Sequence, residues 1–191
     1  NIEFNGSIYY TNLNNAIVRS NGTFDGVDSI MYDGSLSKVQ TLKNSGKAYV
    51  FGFSYMINYK INNNLNLKSS VSFNQSKDLS TKLPLRHSSP IFGQTSINFT
   101  KRNIKVSYYI NYNGKKDISN FSPSELNKLY LYTKDGSPAW LTNNISFIYN
   151  INYLAKINFS CENIFDIHYR SYSSGISAPG RNFNIGLNMS F

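Results

Sequence analysis

Apolar and polar residues alternate with period two along most of this chain, and the pattern is clearest at its end. In RNFNIGLNMSF, residues 181–191, Phe183, Ile185, Leu187, Met189 and Phe191 are apolar, and the residues between them are small or polar. Such alternation puts one face of a strand against an apolar phase and the other against water. Roughly ten residues is the length a tilted strand needs to cross a bilayer. Seven earlier segments carry the same signal. Their apolar positions are Phe4, Ile8 and Tyr10; Tyr49 to Tyr59 at odd numbers; Leu65, Leu67, Val71 and Phe73; Ile97 and Phe99; Ile104 to Tyr112 at even numbers; Leu141, Ile145, Phe147, Tyr149 and Ile151; and Ile157, Phe159 and Cys161.

The connections alternate in length. Asn62-Asn63-Asn64, Lys101-Arg102-Asn103 and Asn152-Tyr153-Leu154 read as tight turns. Residues 19–47, 77–90, 114–139 and 167–180 read as long loops. Short turns on one side and long loops on the other are the outer-membrane pattern, with the short turns periplasmic. The expected fold class is therefore all-β, a transmembrane antiparallel β-barrel of about eight strands in this chain.

Composition supports a barrel over a soluble sandwich. The 191 residues are enough for one domain, and 15 Tyr and 13 Phe against one Trp suit aromatic girdles at two membrane interfaces. No run of about 18 apolar residues is present, which excludes a helical membrane protein. The net charge is +9. The Lys and Arg residues gather into no basic stripe, which argues against nucleic acid and for lipid headgroups, lipopolysaccharide or an anionic ligand. Cys161 is the only cysteine, so neither a disulfide framework nor a cysteine metal site is expected. No nucleophile–His–acid set or phosphate loop is present, and neither catalysis nor a cofactor is expected. Asp25, Asp28 and Asp33 share a loop, but their spacing fits no recognised Ca²⁺ loop.

Several stretches resemble the C-terminal third of TonB-dependent outer-membrane receptors. Glu162-Asn163-Ile164-Phe165-Asp166 matches the family's wording before the last outer loop. His168-Tyr169-Arg170 follows, then residues 174–183 with Pro179, Gly180, Arg181, Asn182 and Phe183, and a final strand ending in Phe. Pro84-Leu85-Arg86-His87 with Pro90-Ile91-Phe92-Gly93 is similar to another family segment, although Ser89 stands where a second proline is usual. Gly136-Ser137-Pro138-Ala139-Trp140 is similar to a third. The terminal wording is most similar to haem, haemoglobin or transferrin receptors of Bacteroidetes-like bacteria.

The resemblance implies a barrel of about 22 strands with a plug in its lumen. Residues 1–191 would be its C-terminal part, with the plug and other strands on a missing segment or a second polypeptide. The implied activity is uptake of a scarce ligand, driven by a TonB energy complex acting through the plug. Haem or the cargo of a haem- or iron-carrying protein is the first expectation, and a siderophore or cobalamin is the alternative. A surface lipoprotein is a further expected partner. Two other architectures compete: a self-closed eight-stranded barrel, and a scaffold subunit that imports nothing.

The candidate ligand contacts are His87 and His168, since imidazole ligates haem iron; Tyr169, for stacking; and Lys68 and Lys105, which with Lys60, Lys156 and Glu162 fall on the polar face and offer charge to an anionic cargo. Exposed loop histidines are also ordinary, and lumenal lysines pair readily with water or plug carboxylates. Tyr9, Tyr109, Tyr130, Tyr132 and Tyr172 are further stacking candidates, although girdles and core packing account for most tyrosines in such a barrel. Gly175, Pro179 and Gly180 are expected to shape the last loop, with Gly at φ > 0. Phe191 is expected to be the signal read during barrel assembly.

Overall fold

The computed structural model describes residues 1–80, 82–126 and 128–190, without the side chains of Ala16, Val18, Arg19, Ser20, Lys43, Ser45 and Pro123. Phe191, the expected assembly signal, lies outside the described residues. The strands are β1 (Ile2–Asn21), β2 (Ser29–Tyr32), β3 (Ser35–Lys38), β4 (Gln40–Lys60), β5 (Leu65–Asp78), β6 (Phe92–Lys101), β7 (Ile104–Asn113), β8 (Lys116–Asp117), β9 (Gly136–Ser137), β10 (Trp140–Asn150), β11 (Ala155–Glu162) and β12 (Asn182–Met189). One short helix, α1 (Pro123–Leu126), and two 3₁₀ turns at Ile118–Asn120 and Leu129–Leu131 lie between β8 and β9. Among the described residues no helix is long and apolar enough to cross a membrane.

Eight strands form one antiparallel meander in the order β1-β4-β5-β6-β7-β10-β11-β12. Each segment with period-two alternation becomes one of these strands. Because paired residues share a face, the register sorts the side chains. Ile8, Phe53 and Phe73 lie opposite one another on the apolar face. Glu3, Asn58, Lys68, Ser96, Tyr109 and Asn144 form a row across the polar face. The apolar face faces outward along its whole width. Its rings pack only sideways, Phe4 on Tyr55 at 6.1 Å and Tyr10 on Tyr49 at 5.8 Å. An exposed apolar band of this extent is the surface of a protein that meets lipid or another apolar phase.

The tight turns are made by side chains that imitate backbone. Asn62 Oδ1 accepts from the amides of Asn64 and Leu65 at 2.8 and 2.9 Å, and Asn152 Oδ1 accepts from Leu154 and Ala155 at 2.8 Å each. At the middle turn Arg102 takes φ 51.

Two strand glycines are covered by cross-strand tyrosines, one on each face. Tyr112 lies opposite Gly93 and its hydroxyl reaches Ser70 O at 3.0 Å. Tyr9 lies opposite Gly52. At either glycine a Cβ would run into the tyrosine ring and a neighbouring carbonyl. The pleat is thereby filled from the partner strand, a device that pins register.

Two expectations are corrected here. Residues 19–47 are not a plain loop: β1 continues to Asn21 and β4 begins at Gln40, so the two run on together as a ribbon. β5 stops pairing at Ala48–Asp78, which leaves Gln40–Lys47 paired with β1 alone. The sequence of this stretch hid its strands, because its few apolar residues, Ile17 and Leu42 among them, follow no alternation and both stand exposed on the ribbon. The self-closed barrel is also not what forms. Among the described residues β1 and β12 are unpaired edges of an open sheet. Ile185 on edge strand β12 is 83% exposed, against 38% for Ile157 on its inner neighbour β11.

Candidate functional site

The polar face carries two hollows at opposite ends of the strands. The turn-end hollow, about 440 Å³, is lined by Glu3, Asn58, Lys60, Asn66, Lys68 and Lys105 among others. Asn58 Nδ2 donates to Glu3 Oε2 at 2.9 Å. The side-chain oxygens of Asn58 and Asn66 are buried there without a hydrogen-bond partner. The loop-end hollow, about 260 Å³, is lined by Tyr109, Asn111, Thr142, Asn144, Glu162, Asn163, Tyr169, Pro179 and Gly180. Tyr109 and Glu162 face each other across it. Burial first, and the Glu162 charge second, push the Tyr169 phenol above its ordinary value. The turn-end hollow thus gathers three lysines beside one carboxylate, Glu3, and the loop-end hollow holds one carboxylate, Glu162, and no lysine.

The sequence grouped Lys68 and Lys105 with His87, His168, Tyr169 and Glu162. The structure separates them. Lys68, Lys105 and Lys60 share the turn-end hollow, while Tyr169 and Glu162 line the loop-end one. Strand length is the reason. A face assignment does not say how far along a strand a residue stands.

The motif residues build the base of the last loop. Asn163 is buried with φ 50; its Nδ2 donates to Ile167 O at 2.9 Å and Pro179 O at 3.4 Å, and its Oδ1 accepts from Ile167 N at 2.9 Å. Its own amide donates to Asn144 Oδ1 on β10 at 2.9 Å. Asp166, at φ 54, accepts from the Arg181 amide at 2.8 Å, and its carboxylate stands so close to Gly180 that a Cβ there would collide. Glu162 pairs with Asn182 and Cys161 with Phe183, which starts β12. Phe165 points into solvent. The positive φ expected at Gly175 and Gly180 falls instead on Asn163, Asp166 and Ser173. Asn and Asp tolerate this region when their side chains bond the nearby backbone.

Above the loop-end hollow, loops 78–91, 114–139 and 163–181 pack together. Phe121, Tyr132 and Tyr172 form a ring cluster with centroid distances of 4.7, 5.2 and 6.1 Å. Tyr132 and Tyr172 are thus core residues of the cap and are unavailable for stacking on a ligand. Lys116 lies 4.4 Å from the Tyr172 ring centre, and its ammonium donates to Ser88 O. Burial pulls its pKa down to about 8. His87 Nδ1 lies 3.0 Å from Ser173 Oγ and His168 Nε2 lies 3.1 Å from Ser177 Oγ, so each histidine has its own serine. Trp140 packs on Tyr169 at 4.3 Å.

Sequence reasoning missed Glu125 of α1. It is 1% exposed, accepting from Tyr132 Oη at 2.5 Å and Ser173 Oγ at 2.8 Å. Only the tertiary packing of the loops marks it. Among the described residues no group of three His, Cys, Asp or Glu is placed to hold a metal, and Asp25, Asp28 and Asp33 do not gather.

No family model and no curated protein matches the chain by sequence. Solved structures do match it in fold. The copper transporter OprC superposes over 100% of this chain and 29% of its own, with a TM-score of 0.77 at 14% identity. The FrpB iron transporter from Neisseria meningitidis covers 100% of this chain and 28% of its own, with a TM-score of 0.70 at 15% identity. The siderophore receptor PirA from Acinetobacter baumannii covers 100% and 30%, with a TM-score of 0.72 at 16% identity. The fold is that of the β-barrel wall of these structures. The chain spans less than a third of the length of these structures.

Proposed function

We propose that this chain is part of the wall of an outer-membrane receptor that takes up a scarce ligand, with TonB-type energy coupling through a lumenal plug. The observation that carries the reading is the match of the entire eight-stranded sheet to the barrels of a copper transporter, an iron transporter and a siderophore receptor, with both sheet edges unpaired among the described residues. On this reading the apolar face meets lipid. Lys47 and Lys77, on that face at the loop end, meet lipopolysaccharide. Further strands continue from β1 and β12, on another segment or polypeptide. The turn-end hollow supports a lumenal partner: three ammonium groups against the single carboxylate of Glu3, with two unpartnered side-chain oxygens, face it, a surface suited to an acidic, amide-bearing segment such as a plug.

For the cargo we propose chelated iron, with haem or the haem of a carrier protein first and a siderophore or cobalamin next. His87 and His168 stand in outer loops, and Tyr169 lines the hollow beneath them. Phe191 retains its proposed part in assembly, and a surface lipoprotein its proposed part as partner.

The test is uptake by cells that carry or lack the gene, fed ⁵⁵Fe-haem, ⁵⁵Fe-siderophore, labelled cobalamin or ⁶⁴Cu, with and without collapse of the proton gradient. Gene-dependent accumulation that stops when the gradient is collapsed is expected. Equal uptake of every probe in both strains would leave a scaffold as the better reading.

A further inference from the structure

Glu125 is the point where three outer loops meet. It belongs to loop 114–139, and its carboxylate accepts from Tyr132 of the same loop and from Ser173 of loop 163–181. The Ser173 hydroxyl also contacts His87 of loop 78–91, and the Ser173 amide donates to Tyr132 Oη at 3.1 Å. Two more ties run in parallel. Arg170 Nη1 donates to Leu131 O at 2.9 Å, and the Lys116 ammonium donates to Ser88 O. The aromatic cluster of Phe121, Tyr132 and Tyr172 closes the space beside them.

A buried carboxylate is tolerated only while its hydrogen bonds are made. If loop 163–181 moved alone, Glu125 and Tyr132 would each lose a partner beside apolar rings. If loop 78–91 moved alone, His87 and the half-buried Lys116 would lose theirs. The least costly opening is one in which the three loops move together. The first loop is different: among the described residues, the hydrogen bonds of 22–39 stay within the ribbon formed with β1 and β4.

We propose that loops 78–91, 114–139 and 163–181 are a single body latched by Glu125, which opens or stays shut as a unit while the first loop moves independently. Glu125 is a positioning residue that acts through Ser173 and Tyr132. The inference holds whatever the cargo.

The test is hydrogen exchange on the full-length protein in detergent, comparing the natural sequence with Glu125→Ala and Ser173→Ala. In Glu125→Ala, exchange is expected to rise about tenfold or more in all three loops together, as loss of a buried charge-assisted bond predicts. Peptides from 22–39 and from the wall strands stay unchanged and report that the sheet is folded. A rise confined to 114–139, or none, overturns the proposal. If Glu125→Ala also loosens the strands, Ser173→Ala decides. It leaves the Glu125–Tyr132 bond in place and must raise exchange in 78–91 and 163–181 together. No change in those two loops overturns the proposal.

Discussion

The carboxylate of Glu125 and the hydroxyl of Ser173 meet at 2.8 Å although 48 positions separate them in the chain. Burial alone would push this carboxyl up. The hydroxyls of Tyr132 and Ser173 and the charges of Lys128 and Arg86 outweigh it and hold the group below the ordinary carboxylate range. A carboxyl lowered in the folded state adds stability that is complete above its unfolded value, 4.5, and is lost as the pH falls through the folded value. Protection of the three loops, measured relative to the wall strands, is therefore expected to hold at pH 5 and above and to fall below about pH 4. Glu125→Gln should abolish that pH dependence. An acid loss identical in the Gln variant would assign it to another group.

Lys115 and Lys116 are neighbours with opposite environments. Lys115 is exposed and paired with Asp117 at 2.7 Å, which raises its pKa, whereas burial lowers Lys116 to about 8. Competitive acetylation followed across pH by mass spectrometry is expected to give a reactivity midpoint near 8 for Lys116 and one above the ordinary lysine value for Lys115. Because the folded state binds fewer protons at Lys116, its burial costs most below pH 8, and the loop cap gains stability as the pH rises from about 8 toward 10. Equal midpoints for the two lysines would refute the half-buried placement of Lys116.

Asn163 combines a left-handed backbone with three side-chain hydrogen bonds. Asn163→Ala removes the bonds and adds backbone strain. Together these cost about 3 kcal/mol, roughly a hundredfold in local opening, read from exchange of the Ile167 amide. Asn163→Gly removes the bonds without the strain and is expected to cost about 1 kcal/mol less. A Gly variant worse than the Ala variant would contradict the backbone argument.

Gly93 leaves room for Tyr112. Gly93→Val is expected to prevent the compact, heat-modifiable form seen on gels for folded outer-membrane barrels, because the new side chain meets the Ser70 carbonyl as well as the ring. Tyr112→Phe should fold and lose about 1 kcal/mol with the Ser70 bond. Normal folding of Gly93→Val would show that the pleat is filled some other way.

The wall was legible in the sequence because a strand wet on one face and greasy on the other declares itself residue by residue: Ile104 to Tyr112 fell within β7, and the segment from Leu141 to Ile151 became β10 up to Asn150. The ribbon from Asn14 to Lys47 was illegible, since its few apolar residues, such as Ile17 and Leu42, follow no period-two alternation and face polar partners, and its pairing depends on continuing a register set lower down. The polar face was read correctly for Lys60, Lys68 and Lys105, yet alternation gives height along the strand no signature, so Glu162 was grouped with lysines that stand at the other end. The motif of residues 162–166 was visible as wording, but its work, Asn163 and Asp166 closing the base of a loop, needed coordinates. Glu125 gave no signal at all, because its partners come from residues 132 and 173.

The central claim is that this sheet spans an outer membrane with its long loops outside and its tight turns in the periplasm. Tyr130, 82% exposed in loop 114–139, and Tyr153, 93% exposed in a tight turn, mark the two ends. We would replace each with cysteine in the full-length protein, in a Cys161→Ser background, and treat intact cells with a membrane-impermeant maleimide. The account predicts that Tyr130→Cys is labelled on intact cells and Tyr153→Cys only after the outer membrane is permeabilised. Labelling of both on intact cells, or of Tyr153→Cys alone, would contradict it.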